Sequence, residues 1–208
     1  AIQPDGVSNV LNFKNQAGST VPANLLASID ETGDPSDITD YIGPVNLGHQ
    51  QGIYIQFDAS QITAATTGKR ILGIAIGVRT RPQTAADKSD TYLARLTDIA
   101  TGVPLRTMDR TVNSNTEVWF NLGELFTNDF DLDAAEPWTE PLLSELAVGG
   151  DWAFQLACAG GDGIKIARVR MVIATADENR DAVAVFNHST WELTEAEVGD
   201  EFGVWSSS

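Results

Sequence analysis

Apolar side chains recur at every second position through most of this chain, the period of a strand that lays one face on a core. In GIYIQF, Ile53, Ile55 and Phe57 share a face. RILGIAIGVRTR puts Leu72, Ile74, Ile76 and Val78 on one side, while Gly73, Ala75, Gly77, Arg79 and Arg81 fall on the other. TYLARLT, EVWFNL and AVAVF predict shorter strands. DWAFQLACA, a GGDG turn and IKIARVRMVIAT together predict a hairpin, because Gly160 to Gly163 has the composition of a tight reversal.

Between these segments lie DETGDPSD, DASQITAATTGK, RPQTAADKSD and DIATGVP, connectors rich in turn-forming residues. Helical spacing is confined to WTEPLLSELAVGG. There Thr139 is the expected cap, Pro141 fits the first turn, and Gly149 or Gly150 stops the helix. Leu142, Leu143 and Leu146 would anchor it across one end of the fold. The sum predicts an all-β protein, an antiparallel β-sandwich or jelly roll with one short helix. A length of 208 residues suits one such unit. The expected organisation is an N-terminal extension over 1–52 that packs on or between sandwiches, a sandwich core over 53–176, and a C-terminal strand with an acidic extension over 177–208.

Charge changes the picture of the partners. With 29 acids against 13 bases the net charge is −16, and no concentrated basic surface is available to displace counterions from nucleic acid. No apolar stretch reaches the length of a membrane span. The opening AIQPDG has neither the basic nor the apolar region of a secretory signal, as expected of a cytoplasmic product without its initiator Met, or of a mature form cut from a precursor. Arginines fall inside predicted strands, at Arg79, Arg81, Arg95, Arg168 and Arg170, whereas acids crowd the connectors. Two accounts fit: solubilising side chains over an exposed sheet face, or a stripe that reaches the acidic loops of a neighbouring chain across the bare Gly/Ala row. On the second account, charge reversal at Arg79 and Arg168 weakens oligomers and leaves folding intact.

Candidate chemistry is sparse. Asp129, Asp131, Asp133 and Glu140 mimic the spacing of a calcium loop, but Ala134 stands where the turn wants glycine and Pro137 interrupts the run. A solvated acidic connector is the default, and no cofactor or metal is expected. The two histidines, His49 and His188, lie in polar contexts, and no G-x-S-x-G elbow exposes a serine. No pair of strand carboxylates is placed for glycoside hydrolysis, since Asp58 and Glu117 fall at strand edges. Cys158 reads as a small buried hydrophobe. Trp119 and Trp152 read as core, and Trp138 as a staple for the helix. Trp191, Phe202 and Trp205 of the acidic tail are apolar pegs for docking onto the chain's own sandwich or a neighbour. A sugar platform built from Trp191 and Trp205 is the alternative.

From Tyr54 to Thr175 the order of elements resembles the β-sandwich domains of minor tail proteins from tailed phages of actinobacteria. ILGIAIGVRTR, the PWTEPLLSEL turn and the strand IARVRMVI carry the resemblance, with SDITDYIG as its entry. The resemblance implies a non-enzymatic virion protein of the tail, tail tip or capsid surface, made in the host cytoplasm. It implies partners among further copies and other virion proteins, and the strand arginines Arg79, Arg81, Arg168 and Arg170 with the tail pegs Trp191, Phe202 and Trp205 are the residues expected to meet them. The alternative function is a carbohydrate-binding module for host surface glycans.

Overall fold

A computed structural model describes residues 1–30, 40–46, 49–82, 90–112, 120–126, 138–158, 163–177, 182–187 and 192–197. The alternating segments form two five-stranded antiparallel sheets packed face to face. The first runs β1 (Pro4–Leu11), β4 (Gln51–Phe57), β9 (Trp152–Cys158), β6 (Asp90–Asp98), β7 (Pro104–Val112). The second runs β2 (Phe13–Asn15), β3 (Ile42–Pro44), β10 (Ile164–Ala176), β5 (Arg70–Pro82), β8 (Phe120–Phe126). A separate hairpin, β11 (Ala182–Asn187) with β12 (Glu192–Glu197), lies against β5 and β10. The chain is therefore an all-β sandwich.

One core joins the sheets. Ile53, Ile55, Phe57, Leu96, Phe154 and Leu156 of the first face Phe13, Ile42, Ile74, Ile76, Ile166 and Met171 of the second, all buried. Each such side chain contributes about 1.5–3 kcal/mol on leaving water. The first 52 residues, expected to pack on the sandwich, supply three of its strands. Their Pro, Gly, Asp and Asn hide the strand period, and Asn9 and Asn12 take left-handed φ of 47° and 60° where the chain turns from one sheet to the other.

The expected hairpin of 151–175 is an arch between sheets instead. β9 pairs with β4 and β6, whereas β10 pairs with β5 and β3. A glycine-rich reversal permits either geometry, and the choice falls to whichever strands complete the hydrogen bonds.

Where one short helix is expected, the described residues hold three. The expected one is α3 (Glu140–Ser144), with Thr139 Oγ1 accepting from Leu142 N at 3.4 Å and with Leu143, Leu146 and Trp138 buried. The others are α1 (Pro22–Leu26) and α2 (Ala59–Thr66), the latter lying in the expected connector DASQITAATTGK. Asp58 starts α2 by accepting from Ser60 N and Gln61 N, and only Ile62 and Thr66 of the helix are buried. Two turns with so narrow an apolar stripe leave little period to read. Among the described residues no helix is long and apolar enough to cross a membrane.

Candidate functional site

The arginines singled out by sequence converge on the two longest strands. β5 and β10 pair along their length, and each carries one extra residue that breaks strict alternation. On β10, Ile166 lies opposite Thr80 and Arg168 opposite Arg79, so Ala167 is the bulge. Ile164 and Ile166 are thereby in phase with Val169 and Met171 on the core side. The other side collects Lys165 beside Arg81, Arg168 beside Arg79, and Arg170 beside Gly77.

This face is not the exposed stripe that the alternation suggests. Arg168 is 2% exposed, while Arg79, Arg81 and Arg170 are half-buried. Burial lowers the pKa of both Arg79 and Arg170, and the neighbouring positive charge of Arg168 lowers it further. The groups nonetheless stay charged at any ordinary pH. Lys165 sits with Nζ 4.6 Å from the centre of the Tyr41 ring, a cation–π contact.

Asp30 and Asp40 stand next to the points where the chain meets this end of the sheet. Val169 N donates to Ile29 O at 3.1 Å and Ile42 lies opposite Ile166, so the segment between Ile29 and Ile42 leaves and rejoins the sheet on either side of Arg168. That segment carries Asp30, Glu31, Asp34, Asp37 and Asp40 in sequence. Strand β12, sequence ELTEAE, runs along β10. Gly73, Ala75 and Gly77, expected to admit a neighbouring chain, are already buried in the single chain, and the β11–β12 hairpin lies against their strand. Small residues there let a second backbone approach closely.

The structure thus gathers Arg79, Arg81, Arg168 and Arg170. Trp191, Phe202 and Trp205 lie outside the described residues, as do Trp119, Glu117, His188 and Asp129 to Asp133. His49 is exposed, and Asp58 is committed to capping α2. Among the described residues no three His, Cys, Asp or Glu side chains are grouped to hold a metal. Because Arg168 is buried, reversing its charge acts on folding itself, contrary to the expectation from sequence. Tyr54 and Gln155, given no role by sequence reading, face outward on the first sheet beside Arg95. Alternation in TYLARLT and WAFQLAC marks these as outward positions, but only strand register aligns them.

Neither a protein family nor any curated protein sequence matches the chain. Among solved structures it is similar to part of an arabinose-bound α-L-arabinofuranosidase, at 12% identity and TM-score 0.40 over 83% of this chain and 24% of that one. It is similar to part of the enzymatically active domain of bacteriophage CBA120 tailspike protein 4, at 11% identity and TM-score 0.38 over 83% and 19%. A family 16 carbohydrate-binding module gives 14% identity and TM-score 0.31 over 66% and 79%. This chain spans about a quarter and a fifth of the length of the first two. At such identity none of their activities transfers with the strand arrangement.

Proposed function

We propose that this protein is a non-enzymatic structural component of a phage particle, a minor tail, tail-tip or capsid-surface protein that works by holding other proteins. The observation that supports this reading best is the end of β5 and β10 where half-buried Arg79, Arg81 and Arg170 surround buried Arg168. Half-buried arginines leave part of each side chain at the surface, and a positive patch there suits a carboxylate on a partner. Partners of this kind are acidic segments of further copies or of other particle proteins. The resemblance of the strands ILGIAIGVRTR and IARVRMVI, and of the PWTEPLLSEL turn, to tail proteins supports the same reading.

Light scattering over a range of concentrations tests it, with Arg79→Glu and Arg81→Glu combined and Arg168 left intact. The wild type is expected to assemble, and the variant to remain monomeric with an unchanged circular dichroism spectrum. A wild type that stays monomeric throughout, a variant that assembles equally well, or turnover of a substrate by the isolated chain would overturn the proposal.

A further inference from the structure

The two sheets end in four edge strands, β1 and β7 on the first and β2 and β8 on the second. An edge strand turns the N–H and C=O of every second residue away from its sheet, and these groups pair with another chain unless something blunts the edge. Three of the four edges are blunted. β1 contains Pro4, two register shifts and the left-handed Asn9. β2 is three residues long. β7 opens with Pro104, carries a register shift beside Thr97 and holds Arg106, Asp109 and Arg110. β8 is different: its seven residues, FNLGELF, include no proline and a single charge, Glu124. They pair with β5 in unbroken register, from Phe120 opposite Thr80 to Phe126 opposite Ile74, and among the described residues no strand lies on the other side.

The order of residues in β8 suits pairing with itself. Phe120 and Phe126 stand equally far from Gly123, and so do Leu122 and Glu124. Register puts Phe120, Leu122, Glu124 and Phe126 on the side of Thr80, Val78, Ile76 and Ile74, which are buried. A twofold axis perpendicular to the sheet keeps that side continuous between copies only when some residue lies opposite its own copy. With Gly123 at the axis, each Phe120 lies opposite Phe126 of the second copy, each Leu122 lies opposite Glu124, and the centre holds two residues without side chains. With Glu124 at the axis, two carboxylates would stand directly opposed; with Leu122 there, Phe120 would meet Glu124. Cross-strand aromatic pairs are favourable and opposed like charges are not, so the one charge of β8 selects the register centred on Gly123.

We infer that β8 is the edge at which a second copy of this chain adds, strand to antiparallel strand about a twofold axis at Gly123, so that two five-stranded sheets become one. The inference rests on the assembly reading and names one contact within it. Asn121 of β8 lies opposite Arg79 of β5, so the contact runs beside a strand that carries the arginines. A strand of another protein would find the same backbone groups, but only a second copy brings the sequence of β8 in reverse.

Disulfide trapping in the whole chain tests the inference, with Cys158→Ala removing its one cysteine. Opposed residues of an antiparallel pair have Cα atoms about 4.5–5.5 Å apart, within reach of a disulfide. Gly123→Cys is therefore expected to give a covalent dimer under mild oxidation, and so is an equimolar mixture of Asn121→Cys and Leu125→Cys. Leu125→Cys alone, about 14 Å from its own copy in this register, is expected to give about tenfold less. Hydrogen exchange in the unmodified chain gives a second reading that needs no variant to fold. The amides of β8 are expected to exchange about tenfold more slowly, or slower still, at concentrations where light scattering shows dimers than where it shows monomers, and those of β7 at an unchanged rate. The inference is overturned if dimers form and Gly123→Cys, correctly folded, does not crosslink, if Leu125→Cys alone crosslinks as well, or if β8 exchanges equally fast in monomer and dimer; the assembly reading then survives with its contact elsewhere. A chain that stays monomeric at every concentration overturns both.

Discussion

Gln56 ties down the segment that follows α3 with one amide group. Its Nε2 lies 2.8 Å from Ala147 O, 3.0 Å from Gly150 O and 3.2 Å from Trp152 O, so two hydrogens are shared among three carbonyls. The segment can approach because Gly150 has no side chain; a Cβ there would lie 2.3 Å from Glu145 O. Gln56→Ala removes the amide from all three carbonyls, of which Ala147 O keeps only Gly150 N as a donor, and is expected to cost about 1–3 kcal/mol, read from the midpoint of urea unfolding. An unchanged midpoint would show that water replaces the amide without loss. Asp58 acts through charge as well as geometry. The Ser60 hydroxyl, and then the Gln61 backbone N–H, hold its carboxyl below the usual 3.8. A carboxylate favoured in the folded state stabilises the protein above its unfolded pKa, and the benefit disappears as pH falls through the folded pKa. Asp58→Asn is therefore expected to destabilise at neutral pH and to match the wild type in strong acid. A difference that stayed constant with pH would mean that the capping depends on shape alone.

Between residue and fold, the bulges decide which residues face inward. Plain alternation in RILGIAIGVRTR assigns Leu72 to the core, yet Leu72 is half-buried while Ile71 is 6% exposed. The register explains it: Ala174 lies opposite Gly73 and Thr175 opposite Ile71, which leaves Leu72 as the extra residue. Ile71→Ala is accordingly expected to cost about 2–5 kcal/mol, and Leu72→Ala distinctly less. Thermal unfolding of the two variants checks the order, and the reverse order would contradict the bulge. The strands GIYIQF and TYLARLT were legible because their alternation runs unbroken and one face meets the core, and AVAVF through its alternation alone. In IKIARVRMVI the register shows the bulge, and the apolar positions step from even at Ile164 and Ile166 to odd at Val169 and Met171, a signal that the reading of a plain strand passed over. β1, β2, β3, α1 and α2 were not legible, since each is short or interrupted and owes its place to tertiary contacts such as Ile2 with Met171. The arginines were legible as a group, but their burial was not, because it depends on segments distant in sequence returning beside β10.

For the molecule as a whole, the question is which electrostatic effect dominates. Of 13 basic residues, five (Arg79, Arg81, Lys165, Arg168 and Arg170) crowd one face of the second sheet, buried or half-buried. The 29 acids are therefore opposed at the surface by fewer cations than the net charge of −16 already implies. Two contributions to stability then respond oppositely to salt. Repulsion among exposed acids acts over several ångströms of solvent and is screened within about 10 Å at 0.1 M. Any attraction that buried Arg168 makes acts at short range where ions hardly enter, so salt weakens it far less. Added sodium chloride should then raise the melting temperature, and tetramethylammonium chloride should do the same, since the effect needs no specific cation. A melting temperature that falls with both salts would mean that exposed ion pairs outweigh the repulsion, and that the arginine face is more open to solvent than its burial indicates.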